Sequence, residues 1–158
     1  MSTPRIDMKQ FNHLAPAVFT ALRALGQAVA DSGLEKSLIE LVKVRASQIN
    51  GCAYCTQFHI NDARKLGVSQ AQLDQLACWR DSLVFSAREA AGLAWTEALS
   101  RVAMEHVGEA VYAQLQAQFS ESEIAFLTAA VANINAWNRI CGPLLFTPPT
   151  SAAPAPQG

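Results

Sequence analysis

Charge is scarce in this sequence. Only 16% of its 158 residues are Asp, Glu, Lys or Arg, and the 12 basic and 13 acidic side chains leave a formal charge of -1. Without a basic excess there is no electrostatic footprint for nucleic acid or an anionic membrane, and neither is expected as a partner. Long apolar runs are missing too. No stretch reaches the ~18 consecutive apolar residues of a membrane span, and the opening MSTPRIDMKQF has no apolar signal core. The expected compartment is therefore the cytoplasm, where thiols are kept reduced. Sustained period-2 alternation is absent, which argues against strands. A second local C-x2-C pair is also absent, so a four-ligand zinc site would need distant help.

What remains is a helical protein. Hydrophobic residues make up 51% of the chain, and its length fits one domain with a substantial core. Residues 1–14 read as an N-terminal arm with turn-forming Pro4, and the helical domain spans 15–146. Phe19, Leu22, Leu25 and Val29 form one apolar stripe, closed by Ser32-Gly33. A second helix runs from about Leu34 to Gln48, and a third from Cys52 to Leu66, separated by the turn dipeptide Asn50-Gly51. Ser69 caps a short fourth helix. Ser86 to Met104 reads as a long helix interrupted at Gly92, and Gly108 to Phe119 as a shorter one. Ser120 and Glu123 form a capping-box pattern, opening a last helix that stops at Gly142-Pro143. Residues 147–158, TPPTSAAPAPQG, form a Pro/Ala-rich tail. The expected fold is all-α: a compact single-domain helical bundle with a dithiol at the start of one arm of an antiparallel hairpin.

That dithiol is Cys52-x2-Cys55. At ~100° per residue, Cys52 and Cys55 lie about 60° apart on a helix and Cys55 and His59 about 40° apart, so all three share one stripe. The helix N-terminus and the C-x-x-C spacing predict thiol pKa values below the free value. A lowered pKa raises the thiolate fraction, and the thiolate is the nucleophile. His59 is placed to move a proton. Glu40 stands about 15 Å before the turn and His59 about 12 Å after it, so an antiparallel hairpin sets them level. A carboxylate among Leu38, Ile39, Leu41 and Val42 is expected to be buried, with a raised pKa.

The string Glu40-x11-Cys52-x2-Cys55-x3-His59 resembles the core motif of the alkylhydroperoxidase D-like proteins of the carboxymuconolactone decarboxylase superfamily. The similarity extends through ELVKVRASQINGCAYCTQFHINDARKLG, AWTEALS at 94–100 and NAWNR at 135–139. It spans about residues 15–147 and is most specific over 37–67. The resemblance implies a thiol-dependent peroxidase that reduces alkyl hydroperoxides or hydrogen peroxide. Cys55 would be the peroxidatic nucleophile, Cys52 the resolving thiol, and His59 and Glu40 a proton relay. It implies no bound cofactor, an external lipoylated or thioredoxin-like dithiol reductant, and a homo-oligomer, trimer or hexamer. Scarce surface charge suits burial between subunits. Better-known peroxidases of the family carry a His between the cysteines, where this chain has Tyr54.

Other readings stay beside this one. The same dithiol could serve a general thiol–disulfide oxidoreductase or redox sensor. Cys52, Cys55 and His59 could be three ligands of a structural zinc. Lactone decarboxylation, the superfamily's other activity, does not require the cysteine pair. Cys78 and Cys141 read as small buried hydrophobes. His13 reads as solvated and His106 as a cation at a helix end. Trp79, Trp95 and Trp137 fit the core or subunit contacts, or a substrate pocket. Tyr54 could pack or hydrogen-bond at the site mouth. Lys43 and Arg45 read as solvated charges, and Asn133, Asn135 and Asn138 make the last helix unusually polar.

Overall fold

Helices follow one another with no strand among residues 3–150, the part of the chain that the structure, a computed structural model, describes. They are α1 (Met8–Leu14), α2 (Pro16–Ala30), α3 (Lys36–Ile49), α4 (Ala53–Lys65), α5 (Gln70–Gln75), a 3-10 segment (Leu76–Asp81), α6 (Ala87–Ser100), α7 (Glu109–Gln116) and α8 (Glu121–Cys141). None of these helices is long and apolar enough to cross a membrane.

Local chemistry sets most of the boundaries. Ser69, Ser86 and Ser120 each accept a hydrogen bond from the backbone of the third helical residue, whose Gln or Glu side chain returns one. Each box satisfies N–H groups that the helix itself leaves open. The N-terminal arm departs from expectation by holding α1, because Asp7 and Gln10 form the same box. Phe11 of α1 meets Trp137 and Phe146 edge-on, so the arm is packed onto the domain. Helix α6 ends at Ser100, four residues short of the expected Met104, and runs out through turns from Arg101 onward. Gly92 does not interrupt it. A Cβ there would lie 3.2 Å from Leu38 Cδ1, so glycine lets α6 approach α3 closely. Of the tail, 147–150 is irregular and 151–158 lies outside the described residues.

Helix α3 is the centre of the molecule. Leu38 through Val42, Val44, Ala46 and Ser47 are all buried, as expected of a helix surrounded by others. It packs against α4, α6 and α8. Leu41, Val42 and Val44 are fully buried, each worth roughly 1.5–3 kcal/mol relative to exposure. One apolar cluster joins Leu38 and Val42 to Trp95, Leu115 and Leu127. A second joins Leu41 and Val44 to Ala63, Leu76 and Leu93. A third is small and unusual: Ala46, Ile134 and Phe146 with Cys52, Cys55 and Cys141.

Ion pairs brace the same centre. Arg45 and Lys43, expected in solvent, are instead tied down. Arg45 donates to Glu97 of α6 at 2.8 Å, and Trp79 Nε1 donates to the same oxygen at 3.0 Å. Arg80 holds the other oxygen of Glu97. A charge in a helix surrounded by protein is tolerated only with such partners.

Candidate active site

Helices α3 and α4 are joined by Asn50, Gly51 and Cys52. Gly51 has φ +65°, a left-handed conformation that lets the chain reverse there without a Cβ clash. Glu40, near the start of α3, meets His59 in α4, so α4 runs back along α3. The level pairing expected from helical rise is found: His59 Nδ1 lies 2.6 Å from Glu40 Oε2. Lys43 Nζ donates to the other carboxylate oxygen at 2.7 Å. Burial pushes the Glu40 pKa up, but His59 and Lys43 outweigh it and hold the carboxyl below its ordinary value. The expected rise is therefore corrected, because the contacts with His59 and Lys43 outweigh desolvation.

Cys52 is the N-cap of α4, and its sulfur accepts from the Cys55 backbone N–H at 3.4 Å. Both thiols are buried, at 1% and 3% exposure. Neither has the lowered pKa that the helix start predicts. Cys55 is pushed up to about 12, first by a hydrogen bond with Cys141, with burial adding to the rise and a hydrogen bond from Cys52 opposing it. Cys52 is raised as well, first by its hydrogen bond with Cys55 and then by burial. Desolvation and thiol–thiol contact thus outweigh the helix dipole here.

A cavity of about 470 Å³ opens onto this region. Cys55 and His59 line it, with Tyr54, Phe58, Trp137 and Cys141 among its other walls. Cys52 and Glu40 do not. They stand behind, Cys52 touching Cys55 and Glu40 touching His59. The fold therefore brings Cys52, Cys55, His59 and Glu40 to one place, in two layers.

Three further residues differ from expectation. Cys141 is buried as expected, but against Cys55 rather than in inert core. Cys78, expected buried, is exposed. Asn138 donates to Ser47 Oγ at 3.0 Å, accepts from Asn50, and hydrogen-bonds the sulfurs of Cys52 and Cys55, which favours their thiolates. The polar run in α8 was its visible signal. Tyr54 stacks on Phe58 and meets Phe146 edge-on, and burial followed by the nearby thiols raises its pKa. Of the tryptophans, Trp79 and Trp95 are buried in the core and Trp137 faces the cavity. His13 and His106 are exposed, and His106 lies beyond the end of α6.

Among the described residues, the side chains close enough to share a metal ion are Glu40, His59 and Asp62, not the Cys-Cys-His set. Both Glu40 oxygens are already engaged, so an ion there would have to displace Lys43 or His59.

Residues 16–98 match the model of the carboxymuconolactone decarboxylase family. The chain belongs to that family. Within it, the resemblance is to alkylhydroperoxidase D-like proteins. A crystal structure of an Agrobacterium tumefaciens protein of unknown function, provisionally described as the antioxidant defence protein AhpD, superposes with a TM-score of 0.89 at 36% identity. It covers 94% of this family member and all of that chain. The uncharacterized protein YdfG of Bacillus subtilis is 28% identical over 130 residues, 82% of this chain and 88% of its own. The debrominase Bmp8 shares the fold, with a TM-score of 0.78 at 19% identity over 87% of this chain and 74% of that one.

Proposed function

We propose that this family member is a thiol-dependent peroxidase that reduces alkyl hydroperoxides or hydrogen peroxide. The observation that carries the reading is the layering of the site: the cavity reaches Cys55 and His59, while Cys52 and Glu40 back them. The likeness to an AhpD-type antioxidant protein supports it.

In the proposed cycle the Cys55 sulfur attacks the distal oxygen of ROOH. The O–O bond breaks, Cys55 becomes a sulfenic acid, and ROH leaves. Because Cys55 rests as a thiol at neutral pH, its proton must leave as the S–O bond forms. His59, with Nδ1 held by Glu40, has Nε2 to take that proton, directly or through a water, and return it to the leaving alkoxide. Cys52 then attacks the Cys55 sulfur, forming a disulfide and releasing water. An external dithiol restores both thiols. The lining of Phe19, Leu22, Phe58 and Trp137 suits an organic hydroperoxide.

Burial of the cysteines favours a small oxidant over a folded protein disulfide, which weighs against general thiol–disulfide exchange. By the same argument the reductant is a slender dithiol arm, as on a lipoylated protein, rather than a thioredoxin-like surface. The remaining parts of the proposal are a homo-oligomer, trimer or hexamer, acting in the cytoplasm without a bound cofactor. The test is steady-state consumption of tert-butyl hydroperoxide with dihydrolipoamide as reductant. Wild type turns over and Cys55→Ser does not. Equal rates for the two, or fast reduction of protein disulfides with background peroxide consumption, would reject the proposal.

A further inference from the structure

The cycle above leaves one buried nucleophile unused. Cys141 is the last residue of α8, is 1% exposed, and shares an apolar cluster with Cys52 and Cys55. It lines the cavity beside Cys55, whereas Cys52 does not. Cys55 is hydrogen-bonded to both neighbouring thiols. The chain is tight at the end of α8: a Cβ at Gly142 would meet the Asn138 carbonyl oxygen at 2.9 Å.

A central sulfur flanked by two thiols is the arrangement that thiol–disulfide exchange needs, since the attacking thiolate approaches a disulfide sulfur through a mixed three-sulfur intermediate. We propose that Cys141 is a third redox thiol, which takes the bridge to Cys55 over from Cys52. This rests on the peroxidase reading for the oxidation of Cys55. The exchange is balanced internally: the Cys141 thiolate attacks Cys55, the Cys52–Cys55 bond breaks, and Cys52 leaves as a thiolate that takes the proton Cys141 gave up. No electrons enter or leave. The consequence is positional. A Cys52–Cys55 bond has one sulfur behind the cavity wall, whereas a Cys55–Cys141 bond has both sulfurs on it, where an external dithiol can attack either. Oxidation is thereby carried to the face that the reductant reaches.

With the Cys52–Cys55 pair alone, Cys52→Ser would stall at the Cys55 sulfenic acid. With Cys141 in place, that acid condenses with the Cys141 thiol and releases water. The experiment uses C78S as background, to silence the exposed thiol, and one equivalent of tert-butyl hydroperoxide. Acid quenching, thiol counting and mass mapping then read the products. In C52S, two thiols are lost and a Cys55–Cys141 peptide appears. In C52S/C141S, one thiol is lost and dimedone traps the sulfenic acid. C141S still forms Cys52–Cys55, but dihydrolipoamide re-reduces it several-fold more slowly than the background protein. A C52S protein that accumulates the dimedone adduct with Cys141 still free overturns the proposal. Ser is a favoured N-cap, so C52S retains the start of α4. If peroxide leaves the background protein unoxidised, the peroxidase reading fails by itself. Diamide oxidation of C52S then decides the Cys55–Cys141 pairing separately, and absence of that bridge overturns it.

Discussion

Replacing Glu40 by Gln removes one charge from the centre of the proposed proton relay. The carboxylate is 7% exposed and carries two short contacts, 2.6 Å to His59 and 2.7 Å to Lys43. A hydrogen bond to a charged group is worth about 1.5–3 kcal/mol, and Gln preserves shape and part of the bonding. A net loss of about 2 kcal/mol is expected, or roughly 4–8 °C in Tm for a chain of this size. The pH dependence follows from the sign of the shift. The Glu40 pKa is lowered in the folded protein, so its stabilisation is complete above the unfolded value of about 4.3. It is lost as pH falls through the folded value. The Tm gap between wild type and E40Q should be widest near neutrality and close under acid. Turnover should fall on the order of 10²-fold, mainly in kcat, as for loss of general acid–base help. Differential scanning calorimetry from pH 3 to 7, paired with peroxide kinetics, reads both. A folded E40Q enzyme with near wild-type kcat, or a Tm gap that widens in acid, would refute the reasoning.

Glu97→Gln should cost stability without touching the thiol chemistry. It strands Arg45, whose side chain is 12% exposed, at about 3 kcal/mol; calorimetry and peroxide-dependent thiol loss separate the two effects. Asn138→Ala removes a donor that favours the Cys55 thiolate, so the midpoint of the pH–rate profile for Cys55 alkylation should move up. An unmoved midpoint would leave Asn138 a purely structural tie to Ser47 and Asn50. Cys78→Ser should leave peroxide turnover unchanged, since Cys78 is exposed and outside the cavity. Iodoacetamide should modify Cys78 first in the native protein.

The parts of the site that were legible in the sequence are those set by local geometry. Helical rise on either side of Asn50-Gly51 was enough to place Glu40 against His59, because the two helices share one short turn. The N-cap Ser69 and the Ser120–Glu123 capping box marked the starts of α5 and α8. The same signal at Asp7 and Gln10 was present but hidden inside an apparent arm. The end of α6 carries no glycine or proline, so the helical pattern overran to Met104. Cys141 could not be placed, since only the packing of α8 on α3 and α4 brings it to Cys55. The thiol pKa values failed for the same reason: a helix dipole can be read from sequence, whereas burial and a third sulfur are tertiary facts. Arg45 was misjudged because its partner, Glu97, comes from α6.

The central claim is that Cys55 is oxidised by peroxide and resolved by a neighbouring thiol. The most direct measurement is free-thiol titration of the reduced protein before and after one equivalent of tert-butyl hydroperoxide, with mass mapping of any disulfide formed. The protein has four cysteines, all free. The account predicts that two thiols disappear and that Cys55 is in every disulfide found. Four thiols still titratable, or a disulfide that leaves Cys55 free, would contradict it.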